Sequence, residues 1–247
     1  MAERIDPALT PLEQARQLMD ILRGPNGCDW DQAQGFDDIA PYTIEEAYEV
    51  KNAIDRRDWT ELEGELGDLL FQVLFHSRIA ADEKRFDLDD VCRTLVGKMV
   101  ARHPHVFADG PKPDWEEAKA QERTGRTLDG VALALPALQR AQKLQKRAAK
   151  VGFDWPDAAP VADKVREELA ELADAKTVAE RHEELGDLLF SVVNLARHSG
   201  VDAEAALRDA NAKFQRRFEA VEDAVDLTSA DLDTMEAAWN EAKRRGL

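Results

Sequence analysis

The hydrophobic and polar positions of this chain follow a helical period. Between residues 62 and 73, for example, leucine and valine recur three and four positions apart and form one apolar stripe. No stretch shows the sustained alternation, rich in β-branched residues, that is typical of strands. The pattern therefore predicts an all-α fold.

Local signals predict where several helices begin and end. Thr10-Pro11-Leu12-Glu13 has a capping threonine, a proline at the first helical position and a glutamate three residues after the cap, so it predicts a helix start. A loop is expected up to Pro41. Further helices are expected at residues 88–102 and, as a short segment, from Asp114.

Two neighbouring helices of the first half carry paired carboxylates. Glu46 and Glu49 lie three residues apart on one predicted helix, and Glu65 and Asp68 lie three residues apart on the next. The midpoint between Glu49 and Glu65 and the midpoint between Glu46 and Asp68 both fall at residue 57. A chain reversal there would form an antiparallel hairpin and set the two pairs level with one another.

The second half repeats this arrangement. The seven residues 65–71 recur unchanged as residues 184–190, and Gly27-Cys28-Asp29-Trp30 recurs as Gly152-Phe153-Asp154-Trp155. Thr60 and Thr177, each followed three residues later by glutamate, offer capping boxes to the returning helices. The carboxylates of the second copy are Glu168, Glu171, Glu184 and Asp187.

Blocks that recur in the same order indicate two tandem homologous helical-bundle domains. We place them at residues 1–125 and 126–247, with a glycine-containing linker at 124–136. Gly67 and Gly186 lie between the carboxylates of the returning helices, where glycine costs about 0.5 to 1 kcal/mol relative to alanine. We therefore expect another helix or the substrate to approach them closely.

Four ionised carboxylates that face one another repel strongly, and burial increases the repulsion. A cation between them would remove this cost, and an all-oxygen set suits Mg²⁺ or Mn²⁺. The alternatives are a solvated acidic helix face and a carboxylate-bridged iron site. The iron site needs histidine three residues after glutamate, where this chain has Asp68 and Asp187.

The charge balance limits the partners of the protein. The 247 residues include 33 basic and 50 acidic side chains, a formal net charge of -17. Such a balance argues against a general nucleic-acid surface, although a small phosphorylated ligand held through metal remains compatible with it. We expect no membrane association and, with two cysteines, no disulfide framework, and hence a cytoplasmic location.

A cluster of basic side chains in the second half could bind phosphate. Lys213, Arg216 and Arg217 lie on one predicted helix, and the alternative is that they pair with Asp209 or Glu219 along that helix.

Lys164 precedes Glu168 by four residues and therefore lies on the face of the carboxylate pair, whereas the first half has Tyr42 at this position. The second half is thus the better equipped copy. We interpret His103 and Trp155 as structural residues.

The tandem Glu-Glu-x-x-Glu and Glu-x-x-Asp blocks, with Gly-Phe-Asp-Trp, Leu-Gly-Asp-Leu-Leu-Phe and Lys-Phe-Gln-Arg-Arg-Phe, resemble the MazG nucleoside triphosphate pyrophosphohydrolases. The resemblance covers nearly the whole chain. It implies an all-α fold, a homodimer and Mg²⁺-dependent hydrolysis of nucleoside triphosphates to monophosphate and pyrophosphate. It also implies a housekeeping role in removing non-standard or excess nucleotides, with the second copy as the catalytic one.

Individual residues can be assigned to parts of this reaction. We expect either Glu167 or Glu168 to position or deprotonate the attacking water, and the sequence does not choose between them. An alternative that does not depend on the resemblance is a non-enzymatic or regulatory carboxylate-rich helix bundle that binds metal or a partner protein, in which the first copy, without a counterpart of Lys164, is a scaffold or dimerisation surface. By match to the family's motifs, Glu168, Glu171, Glu184 and Asp187 would hold metal, as would Glu46, Glu49, Glu65 and Asp68 in the first copy, while Lys164, Lys213, Arg216 and Arg217 would contact phosphates and Trp239 would lie near the nucleotide.

Overall fold

A computed structural model describes residues 4–108, 110–112 and 125–247 of the protein. Its regular elements are all α-helices, and the described ranges contain no strand, so the predicted all-α fold is confirmed. The short helix expected from Asp114 lies outside the described residues. The chain divides into two compact units, residues 1–122 and 123–247.

Each unit is built around one long antiparallel helix hairpin. In the first unit the hairpin consists of α3 (Phe36–Arg56) and α4 (Trp59–Asp82), and in the second it consists of α8 (Ala158–Asp174) and α9 (Val178–His198). Among the described residues, the helices of the first unit are α1 (Pro11–Leu22), α2 (Asp29–Ala33), α3 (Phe36–Arg56), α4 (Trp59–Asp82), α5 (Leu88–Arg102) and α6 (Pro104–Phe107). Those of the second are α7 (Ala137–Lys150), α8 (Ala158–Asp174), α9 (Val178–His198), α10 (Ala203–Ala224) and α11 (Leu232–Arg244).

The first hairpin reverses where the carboxylate symmetry predicted. Arg57 follows α3 in the left-handed region at φ 59°, and Asp58 accepts a 3.0 Å hydrogen bond from the backbone N–H of Glu61. The predicted cap at Thr60 is wrong, because the tight turn at Arg57 starts the helix two residues earlier. In the second unit Thr177 and Glu180 form the predicted capping box.

The loop expected up to Pro41 is replaced by helix. α3 begins at Phe36, where the backbone N–H of Gly35 donates to the Asp38 carboxylate over 2.9 Å. Pro41 lies in the second turn, where it cannot donate the backbone hydrogen bond that another residue would make. Ile39 is buried in the core, so tertiary packing offsets this loss.

Apolar side chains from three helices fix each hairpin in place. Met19 of α1, Ile39 of α3 and Phe75 of α4 belong to the buried core of the first unit. In the described part of the second unit the largest fully buried side chains are Val161, Val193 and Val221, one each from α8, α9 and α10. Burial of such a side chain contributes about 1.5 to 3 kcal/mol, which holds the paired helices of each hairpin in register.

The described part of the expected linker is packed against the second unit. Arg147 of α7 donates hydrogen bonds to the carbonyl oxygens of Asp129 and Gly130, and Val131 is buried. Residues 125–136 contain no helix, but they are attached to α7 and do not form a free tether. Among the described helices, none combines the length and apolar character that crossing a membrane requires.

Candidate functional site

The second hairpin brings acidic side chains from two helices together. Glu168 and Glu171 of α8 and Glu184 of α9 each offer a carboxylate oxygen, and these three atoms lie within 4.8 Å of one another. The charge of Asp187 helps to raise the pKa of Glu184, which indicates that Asp187 lies near this group. Three of the four side chains predicted for the second site thus converge, with the fourth at their edge. We call these three residues the second acidic cluster.

A lysine already neutralises part of the second acidic cluster. The Glu168 side chain is only 6 % exposed, and Lys164 Nζ lies 2.8 Å from its carboxylate. The same ammonium group donates to Glu167 over 2.7 Å. These hydrogen bonds, first to Glu167 and then to Glu168, raise the pKa of Lys164 well above its usual value, so the lysine stays charged.

The remaining carboxylates of this cluster repel one another. Desolvation raises the pKa of Glu184 above its usual value, and the charges of Glu171, Glu168 and Asp187 raise it further. A divalent cation between these oxygens would relieve the repulsion, and carboxylate oxygens are suitable ligands for it. The cluster could therefore hold a metal ion.

The first hairpin forms a matching cluster without an internal cation. Oxygens of Glu46 and Glu49 of α3 and of Glu65 of α4 lie within 4.8 Å of one another. Desolvation followed by like charge raises the pKa of both Glu46 and Glu65, and Asp68 contributes to each shift. No lysine or arginine of the described residues forms an ion pair with this group, and Tyr42 stands where the second unit has its lysine.

The basic residues of α10 differ in what they contact. Lys213 and Arg216 form no ion pair within the described part of the chain, so the alternative of pairing along the helix is not observed. Arg217 is anchored instead: its Nε donates to the Leu247 carbonyl over 2.6 Å, and its guanidinium lies 5.7 Å from the Trp239 ring centre. Lys213 and Arg216 are therefore available to an anion, whereas Arg217 and Trp239 form part of the packing between α10 and α11.

A cavity of about 560 Å³ in the second unit was not anticipated from the sequence. Its walls come from α7, α9, Leu128 and the segment Gly152–Trp155, which the sequence had marked only as a repeated block. The side chains of Phe153, Trp155 and Phe190 supply much of the apolar surface. Trp155, interpreted from the sequence as structural, lines a space large enough for part of a small ligand.

An ion pair holds one wall of this cavity. Arg197 donates from Nη1 to Asp154 over 2.9 Å, and His198 Nε2 lies 3.0 Å from the same carboxylate. The hydrogen bonds from Arg197, followed by the contact with His198, lower the pKa of Asp154 to about 2. The segment that carries Phe153 and Trp155 is thus fixed to the end of α9.

No helix of the described residues approaches Gly67 or Gly186 at the position where a Cβ atom would lie. A Cβ atom placed on Gly67 or Gly186 would meet no described atom within 4 Å. The expectation of close approach by another helix is therefore wrong for the described part of a single chain. The expectation of close approach by substrate stays a prediction.

Comparison with known proteins assigns a family to this arrangement. The sequence profile of the MazG nucleotide pyrophosphohydrolase domain matches residues 34–107 and again residues 161–222. The chain is 48 % identical to the nucleoside triphosphate pyrophosphohydrolase of Escherichia coli (strain K12), and the match covers 96 % of this chain and 98 % of that protein. It is 42 % identical to the nucleoside triphosphate pyrophosphohydrolase/pyrophosphatase MazG of Thermotoga maritima, over 94 % and 95 % of the two chains. A shorter match, 41 % identical over 58 % of this chain and 46 % of the relative, is to the nucleoside triphosphate pyrophosphohydrolase of Mycobacterium tuberculosis.

The fold and the two acidic hairpins define a tandem all-α nucleotide pyrophosphohydrolase, since each matched range contains one group of converging carboxylates. The chain belongs to the MazG family. The predicted family is confirmed, and the relatives' names confirm the predicted class of enzyme, nucleoside triphosphate pyrophosphohydrolase.

Proposed function

We propose that the second unit hydrolyses nucleoside triphosphates to nucleoside monophosphate and pyrophosphate with Mg²⁺, and that Mn²⁺ can replace Mg²⁺. The observation that carries the proposal is the convergence of Glu168, Glu171 and Glu184 beside the charged Lys164. The relatives from E. coli and T. maritima are named for the same activity.

The donor set fits a hard divalent cation. All three converging ligands are carboxylates, Asp187 can complete the set, and mutual repulsion raises the pKa of Glu184. When bound, Mg²⁺ supplies positive charge that offsets the carboxylates and the triphosphate and favours loss of a proton from water. The first unit could hold metal through Glu46, Glu49, Glu65 and Asp68.

Basic side chains would bind and orient the phosphates. Lys213 and Arg216 form no ion pair among the described residues, so their charge is available to phosphate oxygens as these develop negative charge. Arg217, anchored at Leu247, would position the end of α10 while its remaining N–H groups reach phosphate. Trp239 lies against that arginine, a contact that supports a position for Trp239 near the same end of the substrate.

The two candidate bases differ in environment. Glu168 is buried, takes part in the acidic cluster and pairs with Lys164, as a metal ligand would. Glu167 is more than half exposed and lies outside the cluster, while its carboxylate accepts a hydrogen bond from the same lysine. We therefore assign the acceptance of a proton from water to Glu167 and metal binding to Glu168.

We extend the proposal to the cellular setting and the assembly. The activity would remove non-standard or excess nucleotides in the cytoplasm, where the two exposed free cysteines, Cys28 and Cys92, would stay reduced. The protein would act as a homodimer, because α4 and α9 leave equivalent apolar stripes exposed in both units. The stripes are formed by Leu66, Leu70 and Val73 and by Leu185, Leu189 and Val192.

We propose the domain limits 1–125 and 126–247, with the second domain as the main catalytic copy. The compact unit formed by residues 123–247 and the packing of Asp129 and Gly130 on α7 support this division. A truncated chain of residues 126–247 that hydrolyses nucleotides would show that the first domain is dispensable for the chemistry. A folded but inactive truncated chain would contradict the assignment.

Product analysis tests the proposed reaction. The full chain is incubated with canonical and damaged nucleoside triphosphates, and the products are separated by ion-exchange chromatography across a titration of Mg²⁺. Monophosphate and pyrophosphate in equal amounts, lost on addition of a chelator, are the expected result. Formation of diphosphate and orthophosphate, or turnover that persists without divalent metal, would contradict the proposal.

A further inference from the structure

The two acidic clusters differ in the cations that already contact them. Oxygens of Glu46, Glu49 and Glu65 lie within 4.8 Å of one another, and we call these residues the first acidic cluster. The second acidic cluster is equally close-packed, but Lys164 Nζ lies 2.8 Å from a Glu168 oxygen. Two similar sets of carboxylates therefore differ by one positive charge in direct contact.

The first acidic cluster has no basic side chain in contact among the described residues. Tyr42 occupies the position that Lys164 has in the second unit, and it brings no positive charge. Arg56 acts on this cluster only at longer range, because it forms its ion pairs with Asp58 and Glu61. The converging carboxylates thus repel one another without a partner in contact, which favours a bound cation.

A buried amide beside the first acidic cluster lacks a hydrogen-bond partner. Gln72 follows Asp68 by four residues and so lies on the same side of α4, about 6 Å further along its axis. It is only 6 % exposed, and its Oε1 is buried with no partner among the described residues. The identical sequence blocks place Ser191 at the equivalent position of the second unit. An unsatisfied buried acceptor is costly, and water bound to a cation at the cluster could donate to it.

A divalent cation would meet different electrostatics in the two units. At the second acidic cluster it must approach carboxylates that the Lys164 ammonium group already contacts, and like charges this close repel strongly. A triphosphate would offset that repulsion, because it adds negative charge beside the lysine. At the first acidic cluster no described lysine opposes the cation, so the cation can bind directly from solution.

We propose that the first acidic cluster binds a divalent cation without nucleotide, and that Lys164 makes cation binding in the second unit depend on the triphosphate. The first unit is then a domain stabilised by a cation that stays bound between turnovers, while the cation of the second unit arrives with the substrate. The statement about the second unit rests on the proposed function, whereas the statement about the first unit does not.

Binding of Mn²⁺ to the full chain without nucleotide tests the first site. Electron paramagnetic resonance reports the binding as a loss of the free-ion signal. We expect Glu65→Gln to weaken Mn²⁺ binding by about tenfold or more, because one of the converging ligands loses its charge. Glu184→Gln is the matched change in the second unit, and it should leave the affinity within about twofold of wild type. Equal effects of the two variants, or a wild type that binds no Mn²⁺, would overturn the inference.

Exchange of the residues at positions 42 and 164 tests the role of the lysine. Tyr42→Lys should weaken Mn²⁺ binding without nucleotide by about tenfold or more, whereas Tyr42→Phe, which adds no charge, should preserve it. Lys164→Tyr should increase the number of Mn²⁺ ions that each chain binds without nucleotide. Circular dichroism checks that every variant is folded. Unchanged binding in both Tyr42→Lys and Lys164→Tyr would overturn the role of the lysine.

A triphosphate that the proposed reaction cannot cleave tests the second site. The probe is adenosine triphosphate with a methylene group in place of the oxygen between its α and β phosphorus atoms. In equilibrium dialysis with this probe, the wild type should retain more Mn²⁺ per chain than without it, and Glu184→Gln should lose this increase. An amount of retained Mn²⁺ that the probe does not change would overturn the dependence on triphosphate.

Turnover of the wild-type chain, measured in parallel, reports separately on the proposed function. Absent turnover, with Mn²⁺ binding that depends on Glu65, would refute the reaction but keep the cation site of the first unit. Normal turnover, with equal Mn²⁺ binding in Glu65→Gln and wild type, would refute only the inference.

Discussion

Lys164 Nζ lies 2.8 Å from the buried carboxylate of Glu168, whereas the first unit has Tyr42 at the equivalent position of its otherwise matching hairpin. The two acidic clusters therefore differ in charge as well as in surroundings. The second contains a cation before any metal binds, and this cation also contacts Glu167, the proposed base. The pairing makes the second site both more stable and better suited to hold an ordered carboxylate set.

Removal of this lysine should destabilise the second unit. Lys164→Met leaves the Glu168 carboxylate buried without its ion pair, and we expect the free energy of unfolding to fall by about 1 to 3 kcal/mol. Saturating Mg²⁺ should reduce the loss, because a cation would again lie beside Glu168. Urea unfolding with and without Mg²⁺ measures both effects.

Arg166→Met is the matched control for this variant. Arg166 is on the same helix and pairs with Asp163, but both side chains are largely exposed, so the change should be below about 0.5 kcal/mol. Equal stability of Lys164→Met and wild type would contradict the account of the buried pair. A loss that Mg²⁺ does not alter would contradict a metal site beside Glu168.

The ion pair between Asp154 and Arg197 should make the stability of the second unit sensitive to acid. The pKa of Asp154 is about 2 in the folded protein against an ordinary value of 3.8, so folding favours the ionised form. The resulting stabilisation is fully present above about pH 4 and is lost as the pH falls towards 2. Its size should be about 1 to 2 kcal/mol after allowance for solvent screening.

Comparison of variants isolates this contribution. The difference in unfolding free energy between wild type and Asp154→Asn should be constant above about pH 4 and shrink below it. Asp163→Asn, which alters an exposed carboxylate, should show no such change. Chemical denaturation followed by circular dichroism at a series of pH values provides the measurement. A difference that stays constant down to pH 2 would contradict the lowered pKa.

Much of the hairpin geometry could be predicted because it depends on local spacing. Carboxylate pairs three residues apart and symmetric about residue 57 need only one turn to meet, and Arg57 supplies that turn. The sequence predicted the helix cap at Thr60, whereas the cap is Asp58. The left-handed conformation of Arg57, which lets the helix start early, is not evident from the sequence. The extent of α3 was underestimated because packing of Ile39 outweighs the usual effect of Pro41.

The cavity could not be predicted because its parts are distant in sequence. Arg197 binds Asp154 across 43 positions, and Gln145 donates to Phe190 across 45. Neither pair belongs to a motif with a fixed spacing. The sequence shows that the repeats differ at the equivalent positions Phe75 and Asn194. It does not show which side chains surround each position, so it does not predict a cavity.

The exposed apolar stripes should form the dimer interface. Light scattering coupled to size-exclusion chromatography should give twice the chain mass of 27.6 kDa for the wild type. Leu66→Lys combined with Leu70→Lys places charge in one stripe and should yield monomers if that stripe lies in the interface. Leu185→Lys combined with Leu189→Lys tests the other stripe in the same way. A monomeric wild type, or dimers in both double variants, would contradict the proposed assembly.

The central claim is that the acidic cluster of the second unit carries the chemistry, and a matched pair of variants tests it most directly. Glu184→Gln and Glu65→Gln alter equivalent positions of identical sequence blocks, and each removes one carboxylate charge while keeping the shape of the side chain. Pyrophosphate release should fall by about 100-fold or more in kcat/KM for Glu184→Gln, a loss of about 2.7 kcal/mol in transition-state stabilisation. Glu65→Gln should stay within about threefold of wild type, with both variants folded by circular dichroism. Full activity in Glu184→Gln, or its loss in Glu65→Gln alone, would contradict the assignment of catalysis to the second unit.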